Sequence, residues 1–263
     1  MSYETILFDV ENGVATLTLN RPDVFNAVTA HMLGEIKQAL NIVETDESIR
    51  CLLLTGAGKG FCSGQDLNDR NVSPGAERPD LGWTLRDGYS PVVTRLYELK
   101  VPTICAVNGT AAGAGANLAL ACDMVIASDK AKFIQLFSNI GLIPDSAGTW
   151  ILPRLVGMAQ AKALAMTARP VMADEAVSMG MIYKSAPADM FLAEAKELAA
   201  SLATRPTLGF ALTKEAFHAS FQTSLSDQLD LERKLQRIGG FSDDYLEGVT
   251  AFKEKRAPQY KGK

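Results

Sequence analysis

Asp145 is an isolated carboxylate in the stretch Ile140-Gly141-Leu142-Ile143-Pro144-Asp145-Ser146-Ala147-Gly148-Thr149-Trp150, between apolar residues and an expected helix start. In semi-apolar surroundings a carboxyl group can have its pKa raised toward that of a general base. Aspartate also caps helices, so a purely structural use of Asp145 is open at this point. Two glycine-bearing segments offer the complementary chemistry. The first is Asn108-Gly109-Thr110-Ala111-Ala112-Gly113-Ala114-Gly115-Ala116-Asn117, almost all small side chains. It lies between an expected strand, Thr103 to Val107, and an expected helix through Leu118-Ala119-Leu120-Ala121. A strand, a tight turn and a helix start leave unpaired N–H groups aimed at one point, with the helix dipole behind them. Small residues let a ligand come within reach of that backbone, which suits an anion or an oxygen on which charge develops. Close helix–strand packing would produce the same composition. The second segment is Gly56-Ala57-Gly58-Lys59-Gly60-Phe61-Cys62-Ser63-Gly64-Gln65-Asp66-Leu67, directly after an expected strand ending at Thr55. It reads either as a surface turn or as a further set of backbone donors at the carboxyl end of a strand, where α/β folds place ligands. Its spacing is not GxxxxGK[ST], and no GxGxxG occupies the first strand–helix junction, so a nucleotide loop is a poor match.

The elements that must position these groups alternate. Ile6 to Val10 and Val14 to Leu19 flank Glu11-Asn12-Gly13, which predicts a hairpin. Met32, Leu33, Ile36, Leu40 and Val43 fall at helical spacing, with Thr29 as the N-cap. Cys51 to Thr55 is a continuous apolar run, the mark of a strand covered on both faces. Strand and helix alternate again through Met124 to Ala127, so the expected class is α/β. The polar, glycine- and proline-bearing stretch from 68 to 88 reads as a long mobile loop. Beyond Ala188 the pattern is helical: Phe191–Leu202, Leu208–Phe221, Leu225–Ile238 and Asp243–Lys255. Residues 1–190 are therefore read as the α/β core and 191–263 as a helical C-terminal region.

With 263 residues, 26 basic against 30 acidic side chains and a net charge of −4, the chain has no surplus of cations for nucleic acid. Cys51, Cys62, Cys105 and Cys122 show no metal-ligand spacing, which argues against a structural metal and for buried free thiols. The opening Met1-Ser2-Tyr3-Glu4-Thr5 has no basic start, and no apolar run approaches the ~20 residues that span a bilayer. A cytoplasmic protein with no membrane partner is expected.

Taken together, Asn20-Arg21-Pro22, Asn26-Ala27, Gly60 to Asp66, Asn108-Gly109, Gly113-Ala114-Gly115, Cys122-Asp123 and Gly141 to Pro144 resemble the enoyl-CoA hydratase/isomerase (crotonase) superfamily. Order and spacing match over essentially the whole chain. The resemblance implies a spiral of ββα units with a C-terminal helical trimerisation region, assembled as a homotrimer or a dimer of trimers. It implies an acyl-CoA thioester as substrate and no further cofactor. It places the two amides of an oxyanion hole at Gln65 and Ala114, and CoA or substrate contacts at Ala27, Ser63, Asp66, Leu67, Gly113, Asn117 and Phe137. Lys255 matches a tail lysine that reaches a neighbouring subunit's CoA phosphates, or is a solvated helix-end lysine.

Two departures bear on the reaction. Hydratases of the family carry two glutamates that activate water, and the matching positions here are Asn117 and Phe137. Neither an amide nor a phenyl ring can transfer those protons. Asp145 stands where hydratases commonly have glycine, and aspartate there is found in isomerases of the family and in a dehalogenase that uses it as nucleophile. The segments Arg50 to Gly58, Phe61 to Val72, Gly141 to Trp150 and the tail resemble family isomerases acting on a ring-epoxide thioester of CoA. The expected activity is therefore acyl-CoA isomerisation with Asp145 as proton carrier and Phe137 excluding water. The alternatives are a 2-enoyl-CoA hydratase, a dehalogenase or thioesterase acting covalently through Asp145, and a catalytically silent acyl-CoA-binding subunit.

Overall fold

A computed structural model describes residues 3–69 and 78–263. The chain opens with the expected hairpin of β1 (Ile6–Glu11) and β2 (Val14–Leu19), paired antiparallel. Its two-residue turn puts Asn12 and Gly13 at φ of 52° and 79°, the left-handed pair that suits the twist of a hairpin. Helix α1 (Ala30–Thr45) follows, with the Thr29 hydroxyl accepting a hydrogen bond from the Met32 amide at 3.2 Å. Strands β3 (Cys51–Gly56), β4 (Thr103–Val107), β6 (Met124–Ser128) and β9 (Lys184–Ala186) extend the sheet in parallel, giving the order β1-β2-β3-β4-β6-β9. A second, three-stranded sheet holds β5 (Thr110–Ala112), β7 (Lys132–Ile134) and β8 (Val171–Met172). The chain steps from one sheet to the other at β4→β5 and again at β6→β7, with α4 (Ala114–Leu120) between those steps. That repeated step is the ββα spiral.

Alternation along the inner strands shows why they read as unbroken apolar runs. Leu52, Leu54, Cys105 and Val107 face a core shared with α1 residues Met32, Leu33, Ile36 and Leu40. Cys51, Leu53, Ile104 and Ala106 face the other side, where α7 (Phe191–Ala203) lays Ala195, Ala199 and Ala203 at four-residue spacing. The small alanine face lets that helix pack close on the sheet. Thus α7, the first helix after residue 190, completes the core. Helices α8 (Thr207–Ser220), α9 (Leu225–Gly240) and α10 (Asp243–Glu254) follow it. Asp123 anchors α8: its carboxylate accepts from the Thr103 amide at 2.8 Å, the Thr103 hydroxyl at 3.0 Å and Lys214 Nζ at 2.8 Å.

The structure corrects the sequence reading in two places and adds detail in a third. The stretch from 68 to 88 is not a loop throughout. A 3-10 turn spans Leu67–Asp69, and beyond residues 70–77, which lie outside the described residues, helix α2 (Leu81–Thr84) starts under an Asp80 cap. A π turn (Leu85–Tyr89) then leads into α3 (Ser90–Glu98). Leu85 and Tyr89, one helical turn apart, turn inward, while the polar residues between them mask the period. Within the small-residue run, Thr110–Ala112 is a strand and the helix starts at Ala114, earlier than the leucines suggested. Strands of three residues or fewer are too short to show a period. Finally, the helix after Asp145, α5 (Gly148–Thr167), contains Pro153 and breaks at Gly157, whose φ of 78° and ψ of 158° are not helical; α6 (Ala173–Ser178) precedes β9.

Candidate active site

The two glycine-bearing segments lie side by side. Cys62 N donates to Thr110 O at 3.1 Å and Ala112 N to Cys62 O at 2.9 Å, making a short parallel bridge. Gly113 N donates to Ile134 O at 2.8 Å, and Gly113 itself adopts φ 53°, ψ −126°, a conformation open to glycine. The chain thereby turns sharply into α4. A Cβ on Gly64 would lie 2.9 Å from Ala112 O and 3.6 Å from the Ala114 nitrogen, and one on Gly115 only 2.5 Å from Cys62 O. The peptide preceding Gln65 and the first N–H of α4 are therefore close neighbours. Neither the Gln65 nor the Ala114 amide donates to an acceptor among the described residues.

Buried polar groups hold this arrangement. Asn26 is fully buried; its Nδ2 donates to Ala57 O and Gly60 O at 2.9 Å, while Oδ1 accepts from Arg21 N at 2.8 Å. Arg21 Nη1 bonds the Ala27 carbonyl and, at 2.9 Å, the Asp66 carboxylate. That guanidinium, together with the Asn68 amide, holds the Asp66 carboxyl below its ordinary range. Asp66 is thus engaged in bracing the loop. Tyr89, delivered by the π turn, donates its hydroxyl to Gln65 Oε1 at 2.9 Å. The Cys62 thiol, pushed up to about 12 by burial, stays protonated and is no nucleophile.

Asp145 comes to the same helix from the other side. Its main-chain oxygen accepts from Asn117 Nδ2 on α4 at 2.7 Å, and its carboxylate from Ser146 Oγ at 2.8 Å. It does not cap α5: the N-cap is Ala147, and no side chain bonds there. Phe137, 6 % exposed, brings its ring edge to 3.7 Å from a Cβ position on Gly113. One helix end therefore gathers Gly113, Ala114, Asn117, Phe137 and Asp145. Asn117 is 1 % exposed with its amide turned inward. Ser63 is half-buried, its amide bonded to Phe25 O at 3.0 Å, and Ala27 is buried beside it. Leu67 is exposed at the edge of this region. Lys255 caps the C-terminus of α10 in a left-handed conformation. His31 sits against Glu4 and Glu35, and His218 stacks on Tyr97. An apolar cavity of about 460 Å³ lies at the far end of α4, against Leu120, Trp150 and Phe217, and none of Gln65, Ala114 and Asp145 lines it.

Sequence reasoning overlooked Asn26's bracing role, Tyr89 and Gln135. In the sequence Asn26 is one letter of the Asn26-Ala27 motif; its polarity at a fully buried site becomes visible only once the loops close around it. Gln135 and Tyr89 carry no local signal.

The chain belongs to the Enoyl-CoA hydratase/isomerase family, whose model matches residues 9–263. Among curated relatives, the 1,2-epoxyphenylacetyl-CoA isomerase of Escherichia coli (strain K12) is 52 % identical over 99 % of both chains. A probable enoyl-CoA hydratase of Rhodobacter capsulatus is 46 % identical over the full length of both, and the trans-2-decenoyl-[acyl-carrier-protein] isomerase of Streptococcus mutans 35 %. The crystal structure of a putative enoyl-CoA hydratase from Streptomyces coelicolor A3(2) superposes with a TM-score of 0.93 at 34 % identity, covering all of this chain and 96 % of that one. No helix among the described residues is long and apolar enough to cross a membrane.

Proposed function

We propose that this chain is an acyl-CoA isomerase that moves a double bond by a proton shift through Asp145. The substrate proposed is ring-1,2-epoxyphenylacetyl-CoA, converted to the oxepin form, and the same machinery would shift a 3-enoyl-CoA to the 2-enoyl isomer. The observation that carries this reading is the pair of unengaged amides at Gln65 and Ala114 on abutting loops, with Asp145 tied to the helix that one of them begins. A thioester oxygen seated on those amides would be stabilised as it becomes an enolate, and losing one such donor typically costs about 10²–10³ in rate.

In the ring-epoxide reaction the arene oxide opens to the seven-membered oxepin by breaking the shared carbon–carbon bond, with no atom lost. The Asp145 carboxylate takes a proton from the carbon beside the thioester, and the electron pair moves onto the carbonyl oxygen. The resulting carboxylic acid returns that proton to a ring carbon as the carbonyl re-forms, leaving a conjugated ylidene. One carboxyl group suffices because both carbons lie on one side of the substrate. Phe137, beside Gly113, would keep water from quenching the enolate. The resemblance to the E. coli isomerase supports the substrate class.

We also propose assembly into trimers through the tail, where Leu246, Phe241 and Phe252 are 67 %, 81 % and 85 % exposed. Light scattering tests this. The reaction is tested by incubating wild type and Asp145→Asn with 3-enoyl, 2-enoyl and ring-epoxide thioesters of CoA, reading product mass and ultraviolet spectra. Isomerisation leaves mass unchanged and depends on Asp145. Product carrying an added water, or full activity in Asp145→Asn, overturns the proposal.

A further inference from the structure

Asn117 occupies a position where the resemblance led to an expected substrate contact, yet its side chain points into the protein. Its Nδ2 donates to the Asp145 carbonyl at 2.7 Å, and the Gly148 amide donates to the same oxygen at 2.8 Å. Both lone pairs of that carbonyl are thus occupied. Asn117 Oδ1 in turn accepts from Gln135 Nε2 at 2.8 Å. The order of the two amides is forced. A carbonyl can only accept, so Asn117 must turn its NH₂ to Asp145 and its oxygen to Gln135, which must then present its own NH₂. Gln135 is 5 % exposed and its Oε1 has no hydrogen-bond partner among the described residues, a cost tolerated to complete the chain. Gly148 permits the approach: a Cβ there would fall 2.3 Å from Asn117 Nδ2.

The residues following Asp145 show what this chain of amides must hold. Ser146 and Ala147 adopt φ of 50° and 62°, two successive left-handed non-glycine residues. Each is disfavoured and persists only where its surroundings fix it. Asn117 also lies one helical turn from Ala114 on α4, so a single rigid helix carries both the amide aimed at the thioester oxygen and the donor that fixes the Asp145 main chain.

We propose that Gln135 and Asn117 are positioning residues, an amide relay that sets the distance between the Asp145 carboxylate and the oxyanion amides. The inference rests on the reading of Asp145 as proton carrier. Asn117→Ala and Asn117→Asp, each removing the donor to Asp145, are expected to lower kcat for 3-enoyl-CoA by about 10²-fold, the usual consequence of a misplacement near 1 Å. KM should stay within about twofold, because CoA contacts are untouched, and the pH profile of kcat should move with the Asp145 environment. Gln135→Met, one bond further away, should give a smaller loss of the same type, and it decides the matter if the Asn117 variants fail to fold. If Asp145→Asn is inactive but Asn117→Ala and Gln135→Met keep wild-type kcat and pH profile, the relay is refuted and the proton-carrier reading stands. If Asp145→Asn turns over normally, that underlying reading is what fails.

Discussion

Adding one methyl group at Gly115 should separate the Gln65 and Ala114 amides proposed to form the oxyanion hole. Gly115 sits in the first turn of α4, directly after Ala114, and a Cβ on it would lie 2.5 Å from Cys62 O, 2.6 Å from Cys62 Sγ and 2.7 Å from Cys62 Cβ. Ordinary contact starts near 3.4 Å, so Gly115→Ala requires a retreat of about 0.9 Å. The obstructing oxygen belongs to the main chain and is already bonded to Ala112 N, so it cannot rotate away. The start of α4 must therefore move from the loop carrying Gln65, taking the Ala114 N–H with it. Overpacking of this kind costs about 1–3 kcal/mol of stability. The larger effect falls on the reaction: a displacement near 1 Å at a charge-stabilising donor corresponds to about a 10²-fold loss in kcat. The assay is steady-state isomerisation of 3-enoyl-CoA alongside urea denaturation of the same preparation. Cys62→Ala in the Gly115→Ala background removes the sulfur contact but leaves the oxygen, so no rescue is expected. A folded Gly115→Ala protein with wild-type kcat would show that the Ala114 amide takes no part in stabilising the transition state.

Three further outcomes follow from the packing and charge. Asn26→Ala removes the partner of the Arg21 amide and of the Ala57 and Phe61 carbonyls, at about 1–3 kcal/mol for each buried group left unpaired, and should lower the urea midpoint markedly. Leu53→Ala, at a fully buried site between β3 and α7, should cost about 2–5 kcal/mol in the same measurement. Glu247 is held at about 2 by Arg256 and the Gln259 amide, against an ordinary 4.5. Because its folded pKa is depressed, its contribution is complete above about pH 4.5 and drains away as the pH falls toward 2. The protection of the Gln259 amide, relative to its intrinsic exchange rate at each pH, should fall over that window, and Glu247→Gln should abolish the transition.

The parts of the fold that were legible in the sequence are those with a long period or an unbroken apolar run. The β1–β2 hairpin, α1 with its Thr29 cap, β3, β4 and the four C-terminal helices all carry such signals. The second sheet was not legible because β5, β7 and β8 have three residues or fewer, and β5 is built of threonine and alanines that also suit a helix or turn. Helix α2 was hidden by the polar composition around Trp83 and Arg86. At the candidate site, the two glycine-bearing segments could be singled out because close backbone approach demands small residues, which leave a mark in composition; the choice of Gln65 and Ala114 within them came from the family resemblance. The buried amides of Asn26, Asn117 and Gln135 leave no such mark. Their partners are main-chain groups brought near by tertiary folding, such as the Asp145 carbonyl 28 residues from Asn117.

The most direct test of a carboxyl group carrying a proton between two carbons is to follow that hydrogen. A 3-enoyl-CoA deuterated at both positions of the carbon beside the thioester is given to wild type and to Asp145→Asn in ordinary water, and the product is mapped by mass spectrometry and NMR. Wild type is expected to return a 2-enoyl-CoA bearing deuterium at the fourth carbon, with no water added, and Asp145→Asn to return unreacted substrate. Deuterium reaching the fourth carbon as efficiently in Asp145→Asn would contradict the assignment of that carboxylate.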